Sequence, residues 1–263
     1  MFGGLMLKRM KLIFSYRGLL KDMTTKELKA KYTNSILGIS WAVINPLLIM
    51  LVVSFVFTQV FKVEINNFPL FLLSGILPWM FFSTALSESA FSIINQSRTL
   101  HQFNIPKEIL PLSSILANFL NFALGWIIIL PVFLIFKPKI ILLSPILLVV
   151  IFLHLIFTVG LGLFLSVLNV FLRDIGHLLG VILMFWLWIT PVFYSIDMLP
   201  VSLRGLYELN PMAGYILSYR YILFEGALPA YPDLFKLFLL AAASFCLGEL
   251  MFLKLESKIT KGI

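Results

Sequence analysis

Charge is scarce in this chain. Only 12% of its 263 residues are Asp, Glu, Lys or Arg, against about 25% in soluble domains. That excludes a water-soluble globule, whose surface needs far more polar side chains. Cysteine is nearly missing too. Cys246 stands alone, so no internal disulfide can form and the redox compartment stays open. No G-x-x-x-x-G-K-[ST] loop is present to cradle a nucleotide's phosphates. No His-Glu-x-x-His or cysteine pair offers a zinc site, and no Gly-x-Ser-x-Gly elbow offers a serine nucleophile. The histidines, His101, His154 and His177, lie far apart; His154 falls inside an apolar run, where a hydrogen-bonded packing role is favoured over proton carriage. No apolar run pairs two carboxylates at helical spacing, which weighs against ion-coupled transport. Glu88, near the end of one run, reads as a helix-end carboxylate in water. The first 31 residues show no cleavable-signal pattern, because eight Lys and Arg interrupt them.

What is abundant is apolar surface: 60% of the residues are hydrophobic, and 26 are Phe. A helix needs about 20 such residues to cross a bilayer. Five charge-free windows reach that length: Tyr32–Phe61, Ile65–Ser87, Ile109–Phe136, Ile140–Leu172 and Ile175–Ile196. A sixth, Leu234–Leu253, holds only Lys236 and Glu249 near its ends. We therefore expect an all-α integral membrane fold, a single transmembrane domain over 1–263. Its six spans fall at about 33–61, 68–92, 110–136, 140–172, 175–196 and 234–253. Residues 197–233 carry Arg204, Glu208, Arg220 and Glu225, and their apolar stretch Gly214–Phe224 is too short to cross. They form external re-entrant or interfacial helices before the last span.

The net charge of +8 sets orientation. With six spans and both termini in the cytoplasm, Lys62, Lys137, Lys139, Arg204, Arg220 and Lys236 fall outside. The other fourteen of the 20 Lys and Arg fall inside, as the positive-inside rule demands. In so apolar a chain the cationic excess points to membrane lipids as partners and not to nucleic acid. Residues 1–31 combine those cations with Leu5, Leu12, Ile13, Leu19 and Leu20, the pattern of an amphipathic helix lying in the cytoplasmic interface. Thr24-x-x-Glu27 fits a capping box opening a second short helix. Asn45-Pro46 predicts a kink in the first span.

Four stretches in order resemble a known family. They are Lys21-Asp22 through Lys31-Tyr32, Ser35-Ile36-Leu37-Gly38 and Trp41 to Asn45-Pro46-Leu47; Phe103-Asn104-Ile105-Pro106-Lys107-Glu108-Ile109-Leu110-Pro111; Asn169-Val170-Phe171-Leu172-Arg173-Asp174-Ile175; and Thr190-Pro191-Val192-Phe193-Tyr194 with Leu209-Asn210-Pro211-Met212-Ala213 and Tyr219-Arg220. Across residues 20–226 this is similar to the membrane subunits of type-2 ABC exporters of cell-surface polysaccharide. Lys107 departs from the pattern, since the family often has arginine there; the charge is kept without the forked geometry.

The resemblance implies a non-catalytic permease of the bacterial inner membrane, working as a homodimer with two separate ATP-binding subunits. ATP and Mg belong to those subunits and no cofactor to this chain. The implied cargo is a lipid-linked glycan, foremost undecaprenyl-linked O-antigen, with teichoic acid or capsule precursors as alternatives. Aromatic walls suit such cargo, because sugar rings present apolar C–H faces that slide along them. Trp41 and Phe55 on the first span, and Trp186, Trp188, Phe193 and Tyr194 on the fifth, are the candidate lining; an interfacial aromatic belt is the competing reading. Arg98, Phe103, Pro106, Lys107 and Glu108 are expected to dock the ATPase. Lys31, Tyr32, Arg173 and Asp174 are placed at the cytoplasmic entrance, and Tyr215, Tyr219 and Arg220 at an external gate. The rivals are a permease for a small lipid or drug, a membrane-embedded transferase, which would need an acid–base or metal cluster not found here, and a scaffold without transport.

Overall fold

The computed structural model describes residues 2–103 and 105–262; Asn104 of the expected docking segment, and the side chain of Leu5, lie outside the described residues. Every regular element among them is helical. Two helices precede the bundle, α1 (Phe2–Ser15) and α2 (Arg17–Tyr32). Then come α3 (Trp41–Phe55), α4 (Phe68–Asn95), the short α5 (Ser97–Gln102), α6 (Ile109–Phe136), α7 (Ile140–Phe171) and α8 (Asp174–Ile189). Two short helices, α9 (Val201–Leu209) and α10 (Pro211–Arg220), lead to α11 (Tyr231–Gly262).

Among the described residues, five helices are long and apolar enough to cross a membrane: Gly38–Val60, Phe68–Asn95, Ile109–Phe136, Ile140–Phe171 and Tyr231–Glu256. The chain is a multi-pass membrane protein. Within the expected fifth span, 175–196, the helix is α8, which ends at Ile189. Sixteen residues reach about 24 Å, short of the roughly 30 Å hydrocarbon layer. Pro191 is the cause. It donates no N–H, and its ring drives the preceding residue out of helical geometry. Thr190 is accordingly extended, at φ −89° and ψ 136°. By contrast, Pro46, Pro78, Pro131 and Pro145 stay inside their helices.

Helix α4 is the centre of the bundle. Within it 72% of the most apolar window is buried, against 22–33% in the other four spans. It packs on α3, α6, α7, α8 and α10. The tightest helix pair is α7 with α11. A Cβ at Gly160 would sit 2.3 Å from the Ser244 carbonyl carbon, and one at Gly248 would sit 2.2 Å from the Gly160 oxygen. Small residues let these backbones touch, and in lipid such contact replaces the hydrophobic drive available in water. Ser244 Oγ adds a bond to the Phe157 carbonyl at 2.8 Å.

The capping box does not form. Helix α2 runs through Thr24, whose hydroxyl donates to the Leu20 carbonyl at 2.7 Å in mid-helix. Glu88 is corrected in position only: it lies two turns inside α4, and its side chain is exposed.

Candidate functional site

At the end of the bundle that holds α1 and α2, a polar cleft opens between α2, α4 and α6. Its volume is about 600 Å3, and Glu27, Lys31, Glu88, Phe91, Gln96 and Ser114 line it. A smaller hollow of about 100 Å3 shares Lys31 and continues along α3, past Asn45 and Pro46, to Asn118 and Asn121. The chemistry here is a closed triangle. Lys31 Nζ donates to Glu88 Oε1 and to Asn118 Oδ1, both at 2.7 Å, and Asn118 Nδ2 donates to Glu88 Oε2 at 2.7 Å. Tyr32 Oη donates to Asn121 Oδ1, and Gln96 Nε2 donates to Glu27 Oε1 at 2.6 Å. These bonds join α2 to α4 and α6 through charged and amide side chains. Lys31 and Tyr32, read from sequence as entrance residues, therefore tie α2 to α4 and α6. Arg173 and Asp174 are exposed at the α7–α8 turn. Phe91 connects the two places: it lines the cleft and packs on His177, with ring centroids 6.3 Å apart.

A second cluster gathers where α1, α6 and α11 meet. Arg9 Nε donates to Glu108 Oε1 at 2.5 Å, and Arg9 Nη2 reaches Glu108 Oε2 at 2.9 Å and Glu256 Oε1 at 2.5 Å. Lys107 Nζ donates to the Glu256 carbonyl at 2.6 Å. Burial pulls the Arg9 pKa down, but its bonds to Glu108 and Glu256 outweigh that and leave it raised. Burial also lowers the Lys107 pKa, against the attraction of Glu256 and Glu108. Of the residues expected to dock a motor, Arg98 and Phe103 are exposed, whereas Pro106 and Glu108 are buried and Lys107 is half-buried. Only the first part of that segment is open surface. Arg9 and Glu256 gave no sequence signal, since they lie 99 and 247 residues from their partners, Glu108 and Arg9 respectively.

At the opposite end, α10 turns inward and is moored to α8. Asn210 Oδ1 caps α10 by accepting from Met212 N at 3.0 Å and also accepts from Trp186 Nε1 at 2.8 Å. Its Nδ2 donates to Thr190 Oγ1 at 3.0 Å. Arg220 Nη2 donates to the Val192 carbonyl at 3.1 Å, and its guanidinium lies 3.7 Å from the Phe71 ring centroid. Gly75 makes room: a Cβ there would be 3.2 Å from Arg220 Nη2. Tyr215, Tyr219 and Arg220 are buried in the core. Tyr219 Oη lies 3.3 Å from Nδ1 of His154 in mid-α7, and the His154 and Tyr215 rings stack at 4.9 Å.

The expected aromatic lining divides. Trp41, Phe55 and Trp188 are exposed on α3 and α8. Phe193 is buried, 5.2 Å from Trp188 and 6.0 Å from Phe57 by ring centroids. Trp186 is half-buried against Trp79 and Phe82, and Tyr194 is bonded to Tyr207 at 2.8 Å. The outward faces of α3 and α8 also expose Leu48, Leu51, Val52, Val181, Ile182 and Phe185.

Five apolar helices of spanning length, the short apolar α8 and two short helices before α11 define a polytopic helical membrane protein. Residues 19–224 match the ABC-2 type transporter family. The chain belongs to that family. It is 36% identical over 251 residues to the O-antigen export system permease protein RfbA of Myxococcus xanthus, covering 92% of this chain and 93% of the relative. A Klebsiella pneumoniae protein of the same name is 34% identical over 214 residues, covering 80% and 82%.

Proposed function

We propose that this chain is the permease subunit of an ATP-driven exporter, and that two copies pass undecaprenyl-linked O-antigen across the inner membrane. The similarity to O-antigen export permeases over 92% of the chain carries this reading. Two separate ATP-binding subunits supply energy and hold ATP and Mg, and both termini of this chain face the cytoplasm. The apolar faces of α3 and α8 suit a second copy, with Trp41, Phe55 and Trp188 along the path between copies. Arg98 and Phe103 supply exposed surface for the motor subunit, and the Arg9–Glu108–Glu256 cluster passes its movement to α6 and α11. The α10 segment, with Tyr215, Tyr219 and Arg220, moves with α8 as the external gate.

The test is deletion of the gene in its own host. Surface O-antigen should vanish while undecaprenyl-linked polymer accumulates inside, and the intact gene should restore export. Unchanged surface glycan would falsify the reading. Purified alone, the chain should hydrolyse no ATP, whereas pull-down from membranes should bring an ATP-binding subunit with it.

A further inference from the structure

Beneath α1 lies a crevice of about 220 Å3 that the transport reading leaves unused. Its walls are apolar: Ile13 and Phe14 of α1, Leu20 of α2, Leu112 of α6, Leu163 of α7 and Phe245 of α11. Two charged side chains break that lining. Arg17 is exposed at the rim, with its guanidinium carbon 4.8 Å from the Phe14 ring centroid. Glu249 of α11 is 1% exposed, and neither of its carboxylate oxygens has a hydrogen-bond partner. Burying an unpartnered carboxylate is costly. The cation best placed to help, Arg9, is already committed to Glu108 and Glu256. The site therefore has an apolar slot, a guanidinium at its mouth and a buried carboxylate without its cation.

We propose that this crevice holds a phospholipid with a primary ammonium headgroup, an ethanolamine phospholipid. One acyl chain lies along Ile13, Leu112 and Leu163, the phosphate meets Arg17, and the ammonium meets Glu249. A primary ammonium carries three N–H donors, enough to satisfy both carboxylate oxygens. A choline headgroup has no N–H to donate. A glycerol headgroup brings no cation, and a polyprenyl pyrophosphate would bring only negative charge towards Glu249. The site would hold a resident lipid that seats α1 against α6, α7 and α11. It is separate from the cargo path between the two copies.

The experiment uses the full chain, purified in mild detergent, stripped of lipid and offered phosphatidylethanolamine, phosphatidylcholine and phosphatidylglycerol with matched acyl chains. Native mass spectrometry counts retained lipid per chain. The wild type should hold phosphatidylethanolamine about tenfold better than the other two, the effect of one charge-assisted bond. Glu249→Gln should erase that preference, and Arg17→Gln should weaken all three lipids alike. Ile13→Trp, which fills the slot and leaves both charges, should lower phosphatidylethanolamine retention and decides the matter if the Glu249 variant does not fold. An unchanged preference in Glu249→Gln, undiminished retention in Ile13→Trp, or equal retention of phosphatidylcholine or phosphatidylglycerol by the wild type overturns the proposal.

Discussion

The two ends of the bundle are fastened by different chemistry. At the α1 end, charged side chains from three distant parts of the chain meet: Arg9, Glu108 and Glu256, with Lys107 beside them. At the α10 end, an amide and a guanidinium reach for neutral groups: Asn210 for Trp186, Thr190 and the backbone, Arg220 for the Val192 carbonyl. Glu108 is fully buried, but Glu256 is part-exposed, and its pair with Arg9 can exchange partners with salt, water or another protein. Buried bonds to backbone carbonyls cannot, because breaking them strands polar groups away from water. One end is therefore built to be rearranged, and the other to move as a unit.

Five substitutions sharpen or break that contrast. The largest effect belongs to neither end. Gly248→Leu forces side-chain atoms into the α7 backbone, so the yield of folded protein should collapse, read as loss of the monodisperse peak in size-exclusion chromatography. Next is Arg220→Met, which strands the Val192 carbonyl; we expect about 2–4 kcal/mol of destabilisation, insensitive to salt, in detergent unfolding. Asn210→Ala removes the α10 cap and the Trp186 bond, and about 1–3 kcal/mol should go with it, again without salt dependence. Arg9→Gln leaves Glu108 buried beside a neutral group. It should cost about 1–3 kcal/mol in low salt, and less in 1 M NaCl, where the wild type is itself weakened. If Arg9→Gln and Arg220→Met respond identically to salt, the contrast between the ends is wrong. Thr24→Ala should do least, about 0.5 kcal/mol or under, because its hydroxyl only bonds back within α2.

Much of the fold was legible because a membrane span is a composition signal. Long charge-free windows need no knowledge of their neighbours, and five of them carry helices of spanning length or, for α8, a shorter apolar helix. The window 175–196 is longer than its helix because hydropathy runs on through Thr190-Pro191, where local backbone geometry ends α8. The site was less legible. Gly214–Phe224 is too short to cross, yet its burial depends on Asn210 and Arg220 finding partners on α8, a tertiary fact. The Arg9 cluster joins residues with no shared periodicity. Asn118 and Asn121 did leave a trace: two amides in an otherwise apolar span demand hydrogen-bond partners, and Lys31, Glu88 and Tyr32 are those partners.

The double mooring of α10 has a consequence for evolution as well as for motion. Asn210 grips the strap at Thr190 and Arg220 grips it at Val192, so the chain between those two points has a fixed register. Lengthening or shortening it by a single residue slides one clamp off its mate whichever way the other is kept. Relatives that keep both clamps should tolerate insertions in the α9 linker and none between residues 190 and 192.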